Sequence, residues 1–474
     1  MNKKPKLKPI KQTKKIKKEI NPAQIYKQKG EGFLLETREF ESDRVNYSII
    51  GLECNNKIKI NQNKTKIEGK KLKKQIKNQL KTQNSIKTIK SAYKKINHEK
   101  TKETGFTGGL IGYFSFEITN QLSHKLNQKE TKKPLAEFYL PTKFLIYNYS
   151  TNETTIIKYI EKKDKENIKK HKKELKKELE QIKSIDDSKI EQNPINFEKR
   201  PSNLEKQEYK KIVKKAKEYI KKGEAYQIVL SRKIRAKYDS NPFDLYTNLR
   251  EINPSSYLYY LDFGERKLIG SSPEMLVRSR QNQVETVPIA GTIERGKNQT
   301  QDKKLANQLL KDPKENSEHV MLVDLARNDI GKVSKFGSVK VTQFKRVKKF
   351  SHVQHITSKV VGKLKQNKSM FDAFKACFPA GTVSGAPKIR AIQIINELEK
   401  DPRGPYSGAV GYFSFNQEMD FAITIRTFYL ENNNLELQVG AGIVGESEPE
   451  KEWEETNDKA AAGMKALTAG DKNG

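Results

Sequence analysis

The sequence predicts an α+β fold, on three observations. Short β-prone runs bounded by glycine and polar turns recur along the chain, among them "GFTGGLIGYFSFE", "YLYYLDF" and "QVETVPIAGT". Stretches with helical spacing of apolar residues stand between some of them. The two types alternate irregularly, without the steady strand–helix–strand beat of a doubly wound parallel sheet. At 474 residues the chain is long enough for two or three ordinary domains of roughly 150 residues, or for one large unit. No internal repeat is present.

The elements follow in order. Residues 1–20, "MNKKPKLKPIKQTKKIKKEI", read as a flexible basic arm on composition. Residues 21–160 hold glycine-bounded strands around a lysine-rich helical stretch at roughly 70–100. Residues 161–200 open with "EKKDKENIKKHKKELKKELEQIKS", whose helix formers and Glu/Lys pairs four apart predict a charged connecting helix and then a polar linker. From 201 to 470 the pattern sharpens. "SNLEKQEYKKIVKKAKEYIKKG" predicts a helix capped by Ser202, with Glu205 three residues on and a closing glycine. Strands are expected at "EAYQIVLSRKIRAKY", "YLYYLDF", "KLIGSSPEMLVRS" and "QVETVPIAGT", and helices at "QDKKLANQLLKD" and "NSEHVMLVDLARNDIGKV".

Composition narrows the class. The chain is 34% hydrophobic and 32% charged, as expected of a soluble protein with a polar surface. No apolar run approaches the roughly 20 residues that span a bilayer, and the basic N-terminus lacks the apolar core of a secretory signal. A cytoplasmic protein with no membrane partner is expected. Cys54 and Cys377, in "IIGLEC" and "FKACFPA", read as small core residues rather than a disulfide frame or metal site. The formal charge of +35 raises the prospect of nucleic acid, but the lysines are spread through nearly every segment and no recognition module stands among them, so no nucleic-acid partner is expected. The same charge could steer an anionic small substrate.

Two acidic pairs and a set of small-residue segments carry the chemistry. Glu315 and Glu318 stand three apart in "KENSEHVMLVDLARND", as do Glu452 and Glu455 in "SEPEKEWEETNDK"; on a helix this spacing puts both carboxylates on one face. Brought together, the pairs would make an oxygen-only site suited to Mg²⁺. Spacing alone also fits ordinary solvated faces, but the apolar "VMLVDLA" after the first pair ties it to a helix that should be largely buried. "PIAGT", "FPAGTVSGAPKIRA", "GPYSGAVGYF" and "QVGAGIVGES" are glycine-containing turns that permit close backbone approach, with Lys388, Arg390, Arg426 and Lys459 nearby as carboxylate partners. None matches the phosphate cradle GxxxxGK[ST] or the dinucleotide fingerprint GxGxxG.

"PIAGTIERG", "EHVMLVDLARNDIG", "FPAGTVSGAPKIRA", "GPYSGAVGY", "AITIRT" and "GAGIVGESEPEKEWEETNDKA" stand in the order in which the chorismate-utilising enzymes carry them, and the resemblance runs from Ser202 to the end. It implies a large fold of two β-sheets packed face to face with helices outside. It also implies an N-terminal regulatory region at 21–160 and a chorismate-binding catalytic region at 201–470. Ala290 in the first motif, where aminodeoxychorismate-forming members carry lysine, and Gln227, where isochorismate-forming members carry lysine, favour ammonia as nucleophile and anthranilate with pyruvate as products. The aminodeoxychorismate-forming branch is the alternative within the family, and a noncatalytic basic nucleic-acid binder on this scaffold the alternative outside it.

Carried onto this chain, the resemblance implies Mg²⁺ on Glu318 and Glu455, supported by Glu315 and Glu452. It implies substrate contacts from Gly291, Thr292, Tyr412, Arg426, Lys459 and the turn Gly440, Ala441, Gly442. Glu274 in "SSPEML" matches the acid that assists departure of the ring hydroxyl, and His355 in "SHVQHITS" the base that takes the ring proton as pyruvate leaves; Thr292 is counted with them. No Gly-x-Cys-x-Gly elbow surrounds either cysteine, so ammonia is expected from a separate glutamine amidotransferase subunit. A tryptophan inhibitor site is expected from Thr37 in "LLET" and from Ser256, Tyr257 and Leu258 in "NPSSYL".

Overall fold

The run "YLYYLD" shows how the sequence builds layers. Tyr257, Tyr259 and Leu261 enter one hydrophobic core and Leu258 and Tyr260 another, so strand β12 (Tyr257–Asp262) is buried on both faces. That is why it reads as a continuous apolar run rather than an alternating one. The computed structural model describes residues 6–15, 20–38, 45–76, 84–99, 101, 103–123, 125–126, 129–161, 167–185, 188, 190, 193–349 and 353–469.

Strand β12 lies within a twelve-stranded sheet. Its order is β1 (Leu7–Lys15), β9 (Glu153–Glu161), β8 (Lys143–Asn148), β3 (Val45–Glu53), β2 (Phe33–Arg38), β12, β13 (Arg266–Ser272), β22 (Thr427–Glu431), β23 (Asn434–Ile443), β11 (Gln227–Tyr238) and β10 (Phe197–Arg200), with β19 (Gly385–Ala386) also on β11. The second sheet has eleven strands. They run β16 (Ile289–Glu294), β18 (Val353–Lys363), β15 (Gln283–Thr286), β14 (Met275–Arg280), β21 (Met419–Ile423), β20 (Ala409–Ser414), β6 (Gly109–Phe114), β7 (Ala136–Tyr139), β4 (Lys57–Ile60) and β5 (Thr65–Glu68), with β17 (Lys340–Lys349) also on β18. Every registered pairing between these strands is antiparallel.

The helices are α1 (Pro22–Lys29), α2 (Lys70–Ile76), α3 (Ser85–Lys95), α4 (Ile168–Lys183), α5 (Lys206–Lys221), α6 (Pro242–Ile252), α7 (Gln299–Lys311), α8 (Pro313–Gly331), α9 (Met370–Cys377), α10 (Lys388–Leu398) and α11 (Pro449–Thr468). The largest core joins residues of both sheets, such as Phe33 and Ile49 of the first with Ile111, Phe138 and Val360 of the second. A second core lies between the first sheet and helices α1, α4, α6 and α11. A third fills the space where α5 and α10 cover β11 and β23. The α+β prediction and the two packed sheets are both found.

Three local expectations are corrected. The stretch read as a flexible arm contains β1, which pairs with β9 over nine residues and buries Leu7 and Ile10; residues 1–5 and 16–19 lie outside the described residues. Composition hid it because two apolar anchors suffice to seat an edge strand whose lysines face water. The cap of α5 is Glu205, whose backbone N–H donates to Glu208 Oε2 at 3.1 Å. Leu204 is buried just before the helix, and Ser202 Oγ instead donates to the carbonyl of Lys233 at 2.7 Å. Helix α8 is buried on one face only, through His319, Leu322, Val323, Ala326, Asp329 and Ile330, while Val320 and Asp324 face out.

The two sheets do not divide the chain into halves. Strand β2 pairs with β12, and β6 pairs with β20, so residues from 21–160 and from 201–470 share both sheets.

Candidate active site

Glu274 occupies the tight connection between β13 and β14. Ile423 N donates to its carbonyl at 3.0 Å and Ser272 Oγ donates to the Ile423 carbonyl at 2.7 Å, which fastens this connection to the end of β21. The carboxyl is buried, and burial pushes its pKa up to about 8, only partly offset by the Thr382 hydroxyl and the cations of Arg426 and Lys459. At neutral pH it therefore carries a proton it can give. A space of about 380 Å³ opens beside it, walled by Thr382, Leu322, Leu325 and Ala326.

Arg426 precedes β22 with φ +49°, a region that ordinary side chains seldom occupy and that persists where surrounding structure enforces it. Its guanidinium is depressed by burial and raised by Glu274. Among the described residues no carboxylate forms an ion pair with it, so a desolvated cation faces the site. Such a group favours an anionic ligand, because a partner would recover the electrostatic cost of burial.

His355 sits on β18 opposite Thr292 of β16. Its Nδ1 lies 3.0 Å from the Gly291 carbonyl and 3.0 Å from Thr292 Oγ1. A carbonyl can only accept, so Nδ1 carries the hydrogen and Nε2 keeps the lone pair. Burial lowers the imidazole pKa to about 4, with Arg426 and Lys459 adding to the drop against the Gly291 carbonyl, so the ring is a neutral base above that pH. The "PIAGT" segment is a bulged strand rather than a turn: the register slips between Ala290 and Thr292, and Gly291 takes φ +71°. A Cβ there would stand 3.2 Å from Glu315 Oε2, so the glycine brings this wall up to the carboxylates.

The two acidic pairs lie near enough for Glu455 to act electrostatically on Glu315. Glu315 and Glu318 lie in the first turns of α8, where Asp312 caps the helix by accepting from Glu315 N at 3.0 Å; Glu452 and Glu455 open α11. The Glu315 carboxyl is raised by burial and then by Glu318, Asp312 and Glu455, and that of Glu452 by burial and then Glu455. Glu452 Oε2 is buried without a hydrogen-bond partner. Like charges gathered around an orphaned oxygen fit a hard dication in type and charge. Among the described residues no three metal-type side chains stand close enough to close a coordination sphere: Glu318 Oε1 accepts from Gln227 Nε2 at 2.8 Å, and Glu455 pairs with Lys459 at 2.6 Å.

Gly440, Ala441 and Gly442 lie within β23, paired with Ser231, Leu230 and Val229 of β11, rather than in a turn. A Cβ on Gly440 would meet the Leu230 carbonyl and the Tyr406 hydroxyl, both at 2.6 Å; one on Gly442 would stand 2.8 Å from Gln227 Nε2. The two glycines clear one face of the strand, and the Ala441 methyl turns the other way into the third core. Lys459 Nζ closes the wall by donating to the Gly440 carbonyl at 3.0 Å.

Across the sheets lies a second space of about 320 Å³, lined by Thr37, Tyr47, Tyr257, Leu258, Tyr412 and Asp420 among others. Tyr257 OH donates to Asp420 Oδ1 at 2.9 Å, and Arg278 Nε to Asp420 Oδ2 at 2.8 Å. Ser256 is buried beside it without lining it. Tyr412 thus belongs here and not with Glu274 and His355. Lys388 and Arg390 are likewise spent elsewhere: Lys388 Nζ pairs with Asp329 at 2.6 Å and Arg390 Nε donates to Glu224 at 2.8 Å.

The sequence profile of the chorismate binding enzymes matches residues 32–465. The chain belongs to the chorismate-binding enzyme family. It is 38% identical over 451 residues to anthranilate synthase component 1 of Methanothermobacter thermautotrophicus, covering 94% of this chain and 91% of that protein. It is 56% identical to the Aquifex aeolicus protein of the same name over 245 residues, where it spans about half of each, 52% and 50%. The crystal structure of anthranilate synthase component I from Streptococcus pneumoniae superposes with a TM-score of 0.74 at 34% identity, over 90% of this chain and 94% of that one.

In this chorismate-binding enzyme two site groups escaped the sequence. Tyr406, six residues before Tyr412 in "GPYSGAVGY", is the tyrosine that reaches the Gly440 wall. Glu455 acts on its phenol, after burial, Arg403 and Glu399. Thr382, within "FPAGTVSGAPK", reaches Glu274 and lines the space beside it. The quoted motifs contained both, but only the fold shows which side chain turns inward. His319, adjacent to Glu318, is a fully buried core histidine held 2.6 Å from Ser358 Oγ.

Proposed function

We propose that the protein is an anthranilate synthase component 1, converting chorismate and ammonia to anthranilate, pyruvate and water. One observation carries the reading: Arg426 and Lys459 act electrostatically on both Glu274 and His355, which supports a site combining a protonated acid, a neutral base and two cations. An acid that labilises a hydroxyl and a base that removes a ring proton are the two groups that this reaction needs.

Chorismate is a dianion of two carboxylates. Arg426 and Lys459 bind and orient it, with Gly291, Thr292, Tyr406 and the Gly440–Gly442 strand as close-fitting walls. Ammonia adds to the ring as the Glu274 proton goes to the departing hydroxyl, which leaves as water; this gives an amino intermediate that still carries the enolpyruvyl ether. His355 Nε2 then takes the ring proton, the ether carbon–oxygen bond breaks, and the ring becomes aromatic as pyruvate leaves. A neutral Gln227 in place of a basic side chain leaves ammonia as the nucleophile of choice. Glu318 and Glu455, supported by Glu315 and Glu452, would hold Mg²⁺. When bound, the ion supplies Lewis-acid stabilisation of charge on a substrate carboxylate.

A glutamine amidotransferase subunit supplies the ammonia; the "component 1" of the relatives' names supports a partner. The second space, with Thr37, Tyr257 and Leu258 on its walls and Ser256 behind, is the tryptophan inhibitor site in this reading. No helix is long and apolar enough to cross a membrane among the described residues, which accords with work in the cytoplasm. The test is incubation of the purified chain with chorismate, Mg²⁺ and ammonium. Anthranilate fluorescence with equimolar pyruvate is the expected result; an aminodeoxychorismate product without pyruvate would move the assignment to the other aminating branch.

A further inference from the structure

Arg403 stands immediately before the "GPYSGAVGY" segment and is 2% exposed. All three nitrogens of its guanidinium are engaged inside the protein. Nε and Nη2 grip the two oxygens of Glu399 at 2.9 and 2.7 Å. Nη2 also donates to the Val229 carbonyl at 2.7 Å, and Nη1 donates to the Val383 carbonyl at 2.8 Å and to Ser407 Oγ at 3.2 Å. An arginine has as many N–H donors as there are acceptors here, set in one rigid plane, and no other cationic side chain can meet so many fixed acceptors at once. A buried ion pair is weak evidence for stability, because apolar residues of the same volume often serve as well. What its acceptors carry is more informative.

Three of the acceptors back onto the site. Val229 pairs with Gly442 in the strand that glycine clears. Val383 follows Thr382, which lines the space beside Glu274. Ser407 follows Tyr406, whose hydroxyl approaches Gly440 so closely that a Cβ there would stand 2.6 Å from it. Arg403 also reaches Tyr406 directly, with Cζ 5.6 Å from the ring centroid. Burial pushes the Tyr406 phenol up to about 12, opposed first by the Arg403 cation and also by the Ser407 hydroxyl. Ser407 takes φ +60°, a conformation that persists where its surroundings enforce it. The phenol therefore hangs on a strained turn that the guanidinium holds.

The region before residue 160 braces the same turn. Phe116 N donates to the Gly404 carbonyl at 2.8 Å, and the Glu117 carboxylate accepts from Gly404 N at 2.9 and 3.1 Å. The Phe116 ring lies 4.7 Å from Arg403 Cζ.

We propose that Arg403 is a positioning residue of the active site, which through Ser407 and its own guanidinium plane holds the Tyr406 hydroxyl at the Gly440 wall for contact with chorismate. This rests on the anthranilate synthase reading above, in which Tyr406 walls the substrate.

The test is a double-mutant cycle read as binding, so that it needs no turnover. Chorismate is titrated calorimetrically into the full chain with Mg²⁺ and without ammonia, for wild type, Arg403→Lys, Tyr406→Phe and the double variant. Lysine keeps the charge but loses the planar fork. Arg403→Lys should raise Kd by about fivefold or more when Tyr406 is present, and by less than about twofold in the Tyr406→Phe background. An equal rise in both backgrounds, or none in either, would overturn the proposal; a purely structural role lowers the melting temperature and the bound stoichiometry without that coupling. Should Arg403→Lys misfold, Ser407→Ala, which leaves the Arg403–Glu399 pair in place, goes through the same cycle and is judged by the same two outcomes. Absence of ammonium-driven anthranilate in wild type would sink the activity instead, leaving the binding cycle to judge Arg403.

Discussion

Glu274 ties pH to both stability and turnover. Its pKa rises from 4.5 to about 8 on folding, so between those values the folded protein holds a proton that the unfolded chain releases. The stability this lends is complete below about pH 4.5 and is lost as pH rises through 8. Glu274→Gln should remove that dependence, making the variant more stable than wild type at pH 9 by on the order of a few kcal/mol, with the gap closing at pH 5. Urea unfolding at the two pH values measures it. The same variant should lose roughly 10²–10⁴ in kcat with chorismate KM little changed, because the amide fills the space but gives no proton. For His355 the consequence is different. His355→Gln should still aminate the ring but stall before pyruvate leaves, so mass spectrometry should find the amino intermediate accumulating. Both residues were named through the family resemblance of "SSPEML" and "SHVQHITS"; by themselves the residues fit an ordinary carboxylate and a satisfied core histidine equally well. Tyr406 was not, since Tyr406 and Tyr412 share one motif, and only the path of the chain into β20 decides which reaches the Gly440 wall and which the second space.

Helix α8 presents Glu315 and Glu318 from its first turns, and its start is fixed by Pro313 and by the Asp312 side chain. Asp312→Ala should cost about 1 kcal/mol of stability and raise the Mg²⁺ concentration for half-maximal activity, while Asp312→Asn, which keeps an accepting oxygen, should restore both. Thermal unfolding and a Mg²⁺ titration read the two effects. Strand β23 offers a graded pair. Gly442→Ala pushes on the movable end of Gln227 and should lower activity with little loss of melting temperature; Gly440→Ala pushes on the Leu230 carbonyl and should lower both. Three-residue spacing is a property of one helix, so the sequence could put each acidic pair on one helix face but could not say how the two helices meet. The "GAG" and "PIAGT" segments were misread as turns because glycine marks close approach without saying whether a loop or a strand makes it: β23 uses glycine to clear a face, and β16 uses it to absorb a bulge.

Across the whole molecule, the placement of β2 beside β12 and β6 beside β20 means that neither half can complete its sheets alone. The change of sequence character near residue 200 concealed this, because pairing between distant strands leaves no local mark. The net charge of +35 acts at the same scale. Its lysines are dispersed, so it shapes a long-range field rather than a single contact, and a dianionic substrate approaching Arg426 and Lys459 moves down that potential. Salt shortens the reach of the field from about 30 Å at 0.01 M to about 10 Å at 0.1 M, whereas the buried Arg426 is screened far less. The encounter should therefore weaken while chemistry does not. Raising ionic strength across that range should lower kcat/KM for chorismate several-fold with kcat nearly constant, measured with ammonium in fixed excess. An equal fall in kcat would instead place the salt-sensitive charges at the reacting centre.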